Sequence, residues 1–274
     1  MDHIQSILRY WLVQHPLISQ FEWQQGHTWG ASPLFLVLTL LSYLSLTFLF
    51  RHTNLLPSLR PSLLRPISVV HNLFLLLLSF TMAVGCSLST RHQMPHPRWI
   101  FCFPPNRTAP RGPTFFWAYL FYLSKLLEFV DTLLIFIGGS LRRLSFLHVY
   151  HHAAVVVMCY VWLQTSQSLL PVALVTNASV HTLMYAYYLL CALGRRPRWK
   201  RAVTDLQIAQ FVFSFGVSGV MLYYHVAGGG CSGFRGWCFN ALFNASLLVL
   251  FLDFHTKNYA VGRVAMDGQD KKRM

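Results

Sequence analysis

The stretch Ser145-Phe-Leu-His-Val-Tyr-His-His-Ala-Ala-Val-Val-Val-Met158 places three histidines at the start of a segment that is otherwise typical of a membrane-spanning helix. In a helix, His148, His151 and His152 stand at positions i, i+3 and i+4 and share one face. Ionisable side chains are costly in lipid, so they normally point into a protein-lined cavity and mark a functional site. The stretch therefore predicts a membrane-spanning helix that faces a polar chamber.

The composition of the chain also indicates a protein embedded in a lipid bilayer. Of its 274 residues, 54% are hydrophobic and 11% are charged, whereas soluble domains carry roughly 25% charged residues. The net charge of +14 comes from short basic clusters between apolar runs, as expected for loops that face anionic lipid. No basic soluble face is present, so we expect no nucleic-acid partner. The six cysteines lack CxxC spacing, so we expect no zinc or iron–sulfur site.

Seven apolar runs are each long enough to cross about 30 Å of hydrocarbon. They lie at 33–50, 67–90, 114–136, 146–163, 169–191, 204–226 and 238–256. The fold class is therefore all-α, a polytopic membrane protein whose seven transmembrane helices form a bundle or barrel around a tunnel. We divide the chain into an interfacial N-terminal segment at 1–32, a seven-span domain at 33–256 and a basic tail at 257–274. Apolar residues at helical spacing near Trp11 predict an amphipathic interfacial helix in the first segment.

The distribution of basic residues predicts the orientation. Most of the 22 lysines and arginines fall in cytosolic segments if the N-terminus is lumenal and the C-terminus cytosolic, as the positive-inside rule requires. The sequence begins without the features of a cleaved signal peptide, so we expect none. The chain ends in Lys271-Lys272-Arg273-Met274, a dilysine pattern typical of multi-pass endoplasmic reticulum proteins, although a short basic tail is the alternative.

Two lumenal features follow from this orientation. Cys102 and Cys231 both lie in predicted lumenal loops, where an oxidising compartment permits a disulfide. Cys238 is a competing partner, and free thiols are the alternative. Asn106 belongs to an Asn-Arg-Thr sequon in a lumenal loop and is a candidate for glycosylation, whereas the sequon at Asn177 lies within a span.

The third run carries Lys125, Glu128, Asp131 and Thr132 within two helical turns. Three ionisable groups in an apolar helix would be expensive unless they pair with one another or with partners across a cavity. A purely structural pair between Lys125 and Glu128, at i and i+3, is the alternative to a cavity lining.

The fifth and sixth runs carry a polar side chain at successive turns: Asn177, His181, Tyr185 and Tyr188 on the fifth, and Thr204, Gln207 and Gln210 on the sixth. A tyrosine stripe alone would more often be packing, but an amide and a histidine on the same stripe favour a cavity lining. On the predicted topology all these clusters lie in the cytosolic half of the bundle. We therefore expect one polar chamber, open to the cytosol, with an apolar interior beyond it.

Such a chamber suits an amphiphile with an anionic head and a long tail. The head would lie among the basic residues at the predicted cytosolic mouth, namely Arg142, Arg143, Lys200 and Arg201. The tail would lie along the leucine- and phenylalanine-rich walls.

The four clusters together resemble the KxxExxDT, HxxHH, NxxxHxxMYxYY and TxxQxxQ boxes of the ELO family of very-long-chain fatty acid elongases. The matching residues are Lys125, Glu128, Asp131 and Thr132; His148, His151 and His152; Asn177, His181, Met184, Tyr185, Tyr187 and Tyr188; and Thr204, Gln207 and Gln210. HxxHH alone is a weak signal, but four boxes in family order over roughly 120–210 are specific. The flanks diverge, notably the proline-rich loop 51–66 and the glycine turn 228–230.

The resemblance implies an acyltransferase, a very-long-chain 3-oxoacyl-CoA synthase that condenses acyl-CoA with malonyl-CoA and releases carbon dioxide and CoA, with no cofactor and no metal. By similarity, the middle histidine of its box, His151, is the nucleophile that carries the acyl group, with His181 facing it. His148 and His152 would handle protons, orientation or enolate stabilisation, and the carboxylates Glu128 and Asp131 would orient an imidazole.

The remaining polar residues are candidates for binding CoA and the thioester: Lys125, Arg142, Asn177, Tyr185, Tyr188, Thr204, Gln207 and Gln210. Cys159 is the alternative acyl carrier, but it lies two turns beyond His152 and away from the polar band. The resemblance further implies the ketoreductase, dehydratase and enoyl reductase of fatty acid elongation as partners, and it leaves a homo-oligomer open.

Two other classes fit part of the pattern. A di-iron desaturase or hydroxylase also uses HxxHH, but it would need further histidine clusters. Only four histidines share the predicted chamber, and the rest are scattered, mostly in loops and ends: His3, His15, His27, His52, His71, His92, His96, His225 and His255. A seven-span transporter or receptor explains the topology, but it gives no reason for three histidines beside a carboxylate cluster.

Overall fold

A computed structural model of the protein describes residues 2–53, 55–195 and 197–260. Within these ranges the regular elements are all helical, apart from an isolated bridge between Glu22 and Arg111. The all-α prediction is therefore confirmed for the described residues. The predicted dilysine pattern at 271–274 lies outside them.

Two short helices, α1 and α2, precede eight longer ones. The bounds are α1 Asp2–Arg9, α2 Pro16–Ser19, α3 Pro33–His52, α4 Pro61–Gln93, α5 Pro113–Leu127, α6 Phe129–Ile137, α7 Phe146–Gln164, α8 Leu170–Ala192, α9 Lys200–Ala227 and α10 Phe234–His255. Helices α2 to α5 each begin with a proline, whose fixed φ suits the first helical turn and whose missing N–H is not needed there. The proline-rich loop expected at 51–66 is shorter than predicted, because α4 already starts at Pro61.

Each of the seven predicted spans coincides with helix. In the described part of the chain, five helical segments are long and apolar enough to cross a membrane: Pro33–His52, Pro61–Gln93, Phe146–Gln164, Lys200–Ala227 and Phe234–Tyr259. The other two predicted spans are α5 with α6, which is interrupted, and α8, which carries the stripe of polar residues. The membrane character is thus supported, and the count of seven spans stays a prediction.

The third predicted span differs from its expected form, since it breaks at Glu128 into α5 and α6. The Asp131 N–H donates to the Glu128 carbonyl at 3.1 Å, a bond between residues three apart, which is typical of a tight 3₁₀ turn. Ser124 Oγ also donates to the Phe121 carbonyl at 2.7 Å, and such back-bonding often bends helices. The break lies among the polar residues of this span.

Contacts between the helices close a ring. Helix α4 packs on α8, α8 on α9, α9 on α10, α10 on α7, α7 on α5 and α5 on α4. Helix α3 packs outside this ring against α6 and α7. The arrangement agrees with the predicted bundle or barrel, whereas a continuous tunnel stays a prediction.

One end of the ring, here called the packed end, is filled by large side chains. It comprises the starts of α5 and α8 and the end of α7, with Phe115, Phe121, Trp162 and Leu170 among its buried residues. The Phe121 and Trp162 rings stack at 5.8 Å between centroids. Aromatic stacking of this kind adds roughly 0.5–1.5 kcal/mol to the stabilisation from burial.

Residues 10–31 lie across the packed end and are held there by side-chain donors. Trp117 Nε1 donates to the Leu12 carbonyl at 2.9 Å, and Tyr122 and Tyr160 donate to the carbonyls of Gly30 and Ala31, each at 3.1 Å.

Nearby, a disulfide joins Cys102 to Cys231, and Cys238 is free. The apolar side chains of α1 are exposed, which agrees with the predicted interfacial helix.

Candidate active site

The opposite end of the ring contains a cavity of about 630 Å³. We call it the basic end, because Arg142, Arg143 and Lys200 line the cavity there. Most of the predicted site residues also line this cavity: Glu128, Asp131, His148, His151, His152, Asn177, His181, Tyr185, Tyr188, Thr204, Gln207 and Gln210. Residues from α6, α7, α8 and α9 therefore meet in one chamber, as expected from their helical spacing.

The start of α7 places its histidines on the cavity wall. Ser145 is the N-cap residue, and its Oγ accepts a hydrogen bond from the His148 N–H at 3.2 Å, which stabilises the first turn. His148 Nε2 is hydrogen-bonded to Thr132 Oγ1 at 2.9 Å, and Thr132 in turn contacts Tyr43 OH at 3.1 Å. The Nε2 atom of His148 is thus occupied by a hydrogen bond within the protein.

His151 lies in the same wall, but its ring forms no such hydrogen bond to the described residues. Its Nδ1 is buried and has no hydrogen-bond partner among the described residues. Its Nε2 makes no hydrogen bond to them either but, unlike Nδ1, is not among the fully buried atoms that lack a partner, so this is the nitrogen that can meet a bound molecule. His152 packs against both neighbours, with ring centroids 4.4 Å from His148 and 5.5 Å from His151. Free nitrogen of this kind suits proton transfer or nucleophilic attack.

Glu128 connects α5 to α8 at the helix break. Its Oε1 accepts from Lys125 Nζ at 2.7 Å and lies 3.5 Å from His181 Nδ1. Its Oε2 is buried and has no hydrogen-bond partner within the part of the chain that the structure describes. The Glu128 carboxylate thus approaches both Lys125 of α5 and His181 of α8, although His181 Nδ1 forms no hydrogen bond to the described residues.

Lys125 differs from its predicted placement. Only 1% of its surface is exposed, and it is absent from the cavity lining. Its Nζ pairs with Glu128, lies 3.4 Å from Asn177 Oδ1 and stands 4.3 Å from the Phe121 ring centroid. The structural pair that was the alternative at the sequence level is therefore present, while Glu128 also lines the cavity.

Asp131 has a partner that the sequence analysis missed. Its Oδ2 accepts from Tyr185 OH at 2.9 Å, and its Oδ1 lies 2.9 Å from His71 Nε2. His71 belongs to α4 and is one of the nine histidines that the sequence analysis places outside the chamber. The available signal was the carboxylate itself, since an acid in an apolar helix needs a donor from a neighbouring span.

The basic residues at the mouth divide into two groups. Arg142, Arg143 and Lys200 line the cavity. Arg201, predicted to join them, instead lies 3.7 Å from Asp205, which also pairs with His255 at 2.9 Å. These ion pairs join the start of α9 to the end of α10 beside the mouth. Of the four predicted cations, Arg142, Arg143 and Lys200 therefore line the cavity where an anionic head could bind.

Among the described residues, Cys159 and the side chains that could bind a metal are not arranged for acyl transfer or metal binding, respectively. Cys159 is fully buried and does not line the cavity, so its thiol has no access to a substrate bound there. No group of three or more His, Cys, Asp or Glu side chains within the described ranges is arranged to hold a metal ion.

An apolar helical ring that encloses a histidine- and acid-lined cavity defines a membrane protein with a polar chamber at one end. The GNS1/SUR4 (ELO) family model matches residues 28–266, and the chain belongs to this family. The resemblance inferred from the four boxes is therefore confirmed.

Proteins named as fatty acid elongases in three organisms resemble the chain over most of its length. "Fatty acid elongase 3-like" of Arabidopsis thaliana is 27% identical over 97% of this chain and 96% of its own length. "Fatty acid elongase A" of Dictyostelium discoideum is 30% identical, with 94% and 96% covered. "Fatty acid elongase 4" of Trypanosoma brucei brucei is 32% identical, with 83% and 85% covered.

Proposed function

We propose that this protein is a very-long-chain 3-oxoacyl-CoA synthase, which condenses a long-chain acyl-CoA with malonyl-CoA to give 3-oxoacyl-CoA, carbon dioxide and CoA. The observation that carries the proposal is the shared cavity, where His151 and His181 stand beside the Glu128 and Asp131 carboxylates. Membership of the GNS1/SUR4 family and similarity to proteins named fatty acid elongases support the same reaction.

The first step of the proposed reaction transfers the acyl group to His151. Its Nε2 attacks the thioester carbonyl, the carbon–sulfur bond breaks, and CoA leaves as the thiol once it takes up the proton released by the imidazole. His151 is the better candidate than His148, because His148 Nε2 is already hydrogen-bonded to Thr132. The buried position of Cys159 further favours a histidine carrier.

The second step joins two carbons. Malonyl-CoA loses its carboxylate as carbon dioxide, and the enolate that remains attacks the acyl carbonyl carbon and expels His151. The transient negative charge on the thioester oxygen requires a donor. His181 suits this role, since Glu128 Oε1 lies 3.5 Å from its Nδ1 and would stabilise its protonated form. The expelled imidazole of His151 takes up one proton, which would come from water and pass through His152, so the overall reaction consumes one proton and needs no cofactor.

The mouth of the cavity suits the CoA part of both substrates. Arg142, Arg143 and Lys200 would pair with its phosphates. The polar stripe of α8 and α9 would hold the pantetheine amides and the thioester through Asn177, Tyr188, Thr204, Gln207 and Gln210. Apolar cavity residues such as Phe211 and Phe251 would contact the first methylene groups of the acyl chain.

The proposal includes a cellular setting. The protein would reside in the endoplasmic reticulum membrane with a lumenal N-terminus and a cytosolic C-terminus, so that the basic end faces cytosolic acyl-CoA. This orientation agrees with the positive-inside rule. The 3-oxoacyl-CoA product would pass to the ketoreductase, dehydratase and enoyl reductase of the elongation cycle. Fluorescence protease protection of tags at both termini tests the orientation.

Acyl transfer can be tested apart from condensation. Purified protein incubated with stearoyl-CoA alone should release CoA and gain one stearoyl group by intact mass spectrometry. A His151→Ala variant should form no adduct, whereas a His92→Ala variant, altered at an exposed position of α4, should behave like the original protein. Adduct formation by His151→Ala would overturn the assignment of the nucleophile.

Condensation is tested with labelled malonyl-CoA and a ladder of acyl-CoA chain lengths. Labelled 3-oxoacyl-CoA should appear with carbon dioxide in equal amount. If no chain length in the ladder gives a product, the proposed reaction is wrong.

A further inference from the structure

Asp131 is held from two sides by groups on different helices. Tyr185 of α8 donates its phenol proton to Oδ2 at 2.9 Å, and His71 of α4 meets Oδ1 at 2.9 Å. An ionised carboxylate only accepts hydrogen bonds, so His71 must present Nε2–H to it. The Asp131 carboxylate is therefore held between a contact from α4 and a donor from α8.

Tyr185 links this arrangement to the proposed catalytic histidine. Its side chain is fully buried and borders the cavity. The Tyr185 ring packs edge-on against His181, with centroids 5.9 Å apart and planes at 67°. It also packs edge-on against Tyr188, at 6.0 Å. A change in the Tyr185 position would therefore shift the His181 ring.

We propose that His71 is a positioning residue of this active site, which fixes His181 through the hydrogen-bonded chain His71–Asp131–Tyr185. The inference rests on the proposed function for its effect on turnover. It adds a functional residue on α4, a helix that lines the cavity through Leu64, Ser68 and Asn72 but carries none of the four family boxes. His71 itself does not line the cavity, so it would act on the reaction only through Asp131.

A structural role by packing predicts a different response to substitution. If His71 only fills space between α4 and its neighbours, a leucine of similar size should serve. If it acts as a donor, leucine leaves Asp131 Oδ1 without its partner, whereas glutamine can still present an N–H. Loss of an outer hydrogen-bond partner typically lowers activity by roughly 10–100-fold, because a small misplacement of a reacting group is costly.

The test compares His71→Leu and His71→Gln with a control on the same helix, His92→Leu, which is exposed far from the cavity. We expect kcat for condensation to fall roughly 10–100-fold in His71→Leu with little change in KM for stearoyl-CoA. His71→Gln should recover most of that loss, and His92→Leu should match the original protein. Full activity of His71→Leu, or equal loss in both His71 variants, would overturn the proposal.

A second measurement separates this inference from the proposed function. The shifts in unfolding temperature of His71→Leu and Tyr185→Phe should be less than additive in the double variant, because both substitutions break the same chain. Additive shifts would overturn the coupling, whether or not the protein catalyses condensation. Absence of condensation by the unaltered protein would instead count against the proposed function, and the thermal cycle would still decide whether the three residues act together.

Discussion

The two ends of the helical ring are built differently. The packed end buries large side chains such as Phe115 and Trp162, and its tyrosine hydroxyls donate to the backbone of residues 10–31. Among the described residues, both ends contain buried polar atoms without a hydrogen-bond partner, such as Trp162 Nε1 at the packed end, but those at the basic end, among them Glu128 Oε2 and His151 Nδ1, belong to residues that line the cavity. Unpaired buried polar groups cost free energy at either end, but only at the basic end do they lie where a bound molecule could pair with them. We therefore expect the packed end to contribute mainly stability and the basic end to carry the proposed chemistry.

The largest expected effect comes from breaking the ion pair beside the cavity. Glu128→Gln would leave the Lys125 ammonium buried without its counter-ion, which should destabilise the protein by about 3–5 kcal/mol and abolish condensation. Thermal unfolding in detergent measures the first effect, and the labelled malonyl-CoA assay measures the second. Unchanged stability would show that this pair contributes nothing to the fold.

A double variant makes this test sharper. Lys125→Met combined with Glu128→Gln removes both charges, so the unfolding temperature should recover toward the original value. Activity should not recover, because the carboxylate beside His181 is still missing. If both properties recovered together, the basic end would not have the separate chemical role that we assign to it.

An intermediate effect on stability alone is expected at the packed end. Tyr122→Phe leaves the Gly30 carbonyl without its donor, at a cost of about 1–3 kcal/mol. The kcat for condensation should stay the same, since Tyr122 does not line the cavity. Tyr223→Phe, at an exposed position, is the matched control and should change neither quantity. A fall in kcat for Tyr122→Phe would contradict the separation of the two ends.

The smallest expected effect lies at the mouth of the cavity. Arg142→Gln removes one cation that would face the CoA phosphates, and we expect KM for stearoyl-CoA to rise about tenfold, which corresponds to about 1.4 kcal/mol. The unfolding temperature should stay the same because Arg142 is exposed. Arg51→Gln, an exposed change outside the cavity lining, is the control. Equal changes in KM for both variants would indicate general electrostatic attraction rather than a binding site.

The faces of the helices were readable from the sequence. His148, His151 and His152 line the cavity together, and so do the polar stripes of α8 and α9. Helical spacing is local, so residues three and four apart share a face whatever the helix packs against. The cost of charge in lipid then indicates that such a face points inward. This reasoning also led to the family, which the match over residues 28–266 confirms.

The tertiary structure decided which side chains contact the polar residues on each helix face. Asp131 bonds His71 rather than a histidine of the HxxHH box, Lys125 turns behind the cavity, and Arg201 pairs with Asp205 instead of joining the mouth. The break at Glu128 between α5 and α6 was not predicted from the sequence either. The sequence alone determined the helices, their polar faces and the family. Which groups meet across the ring depended on side-chain packing between distant segments, which spacing along one helix does not encode.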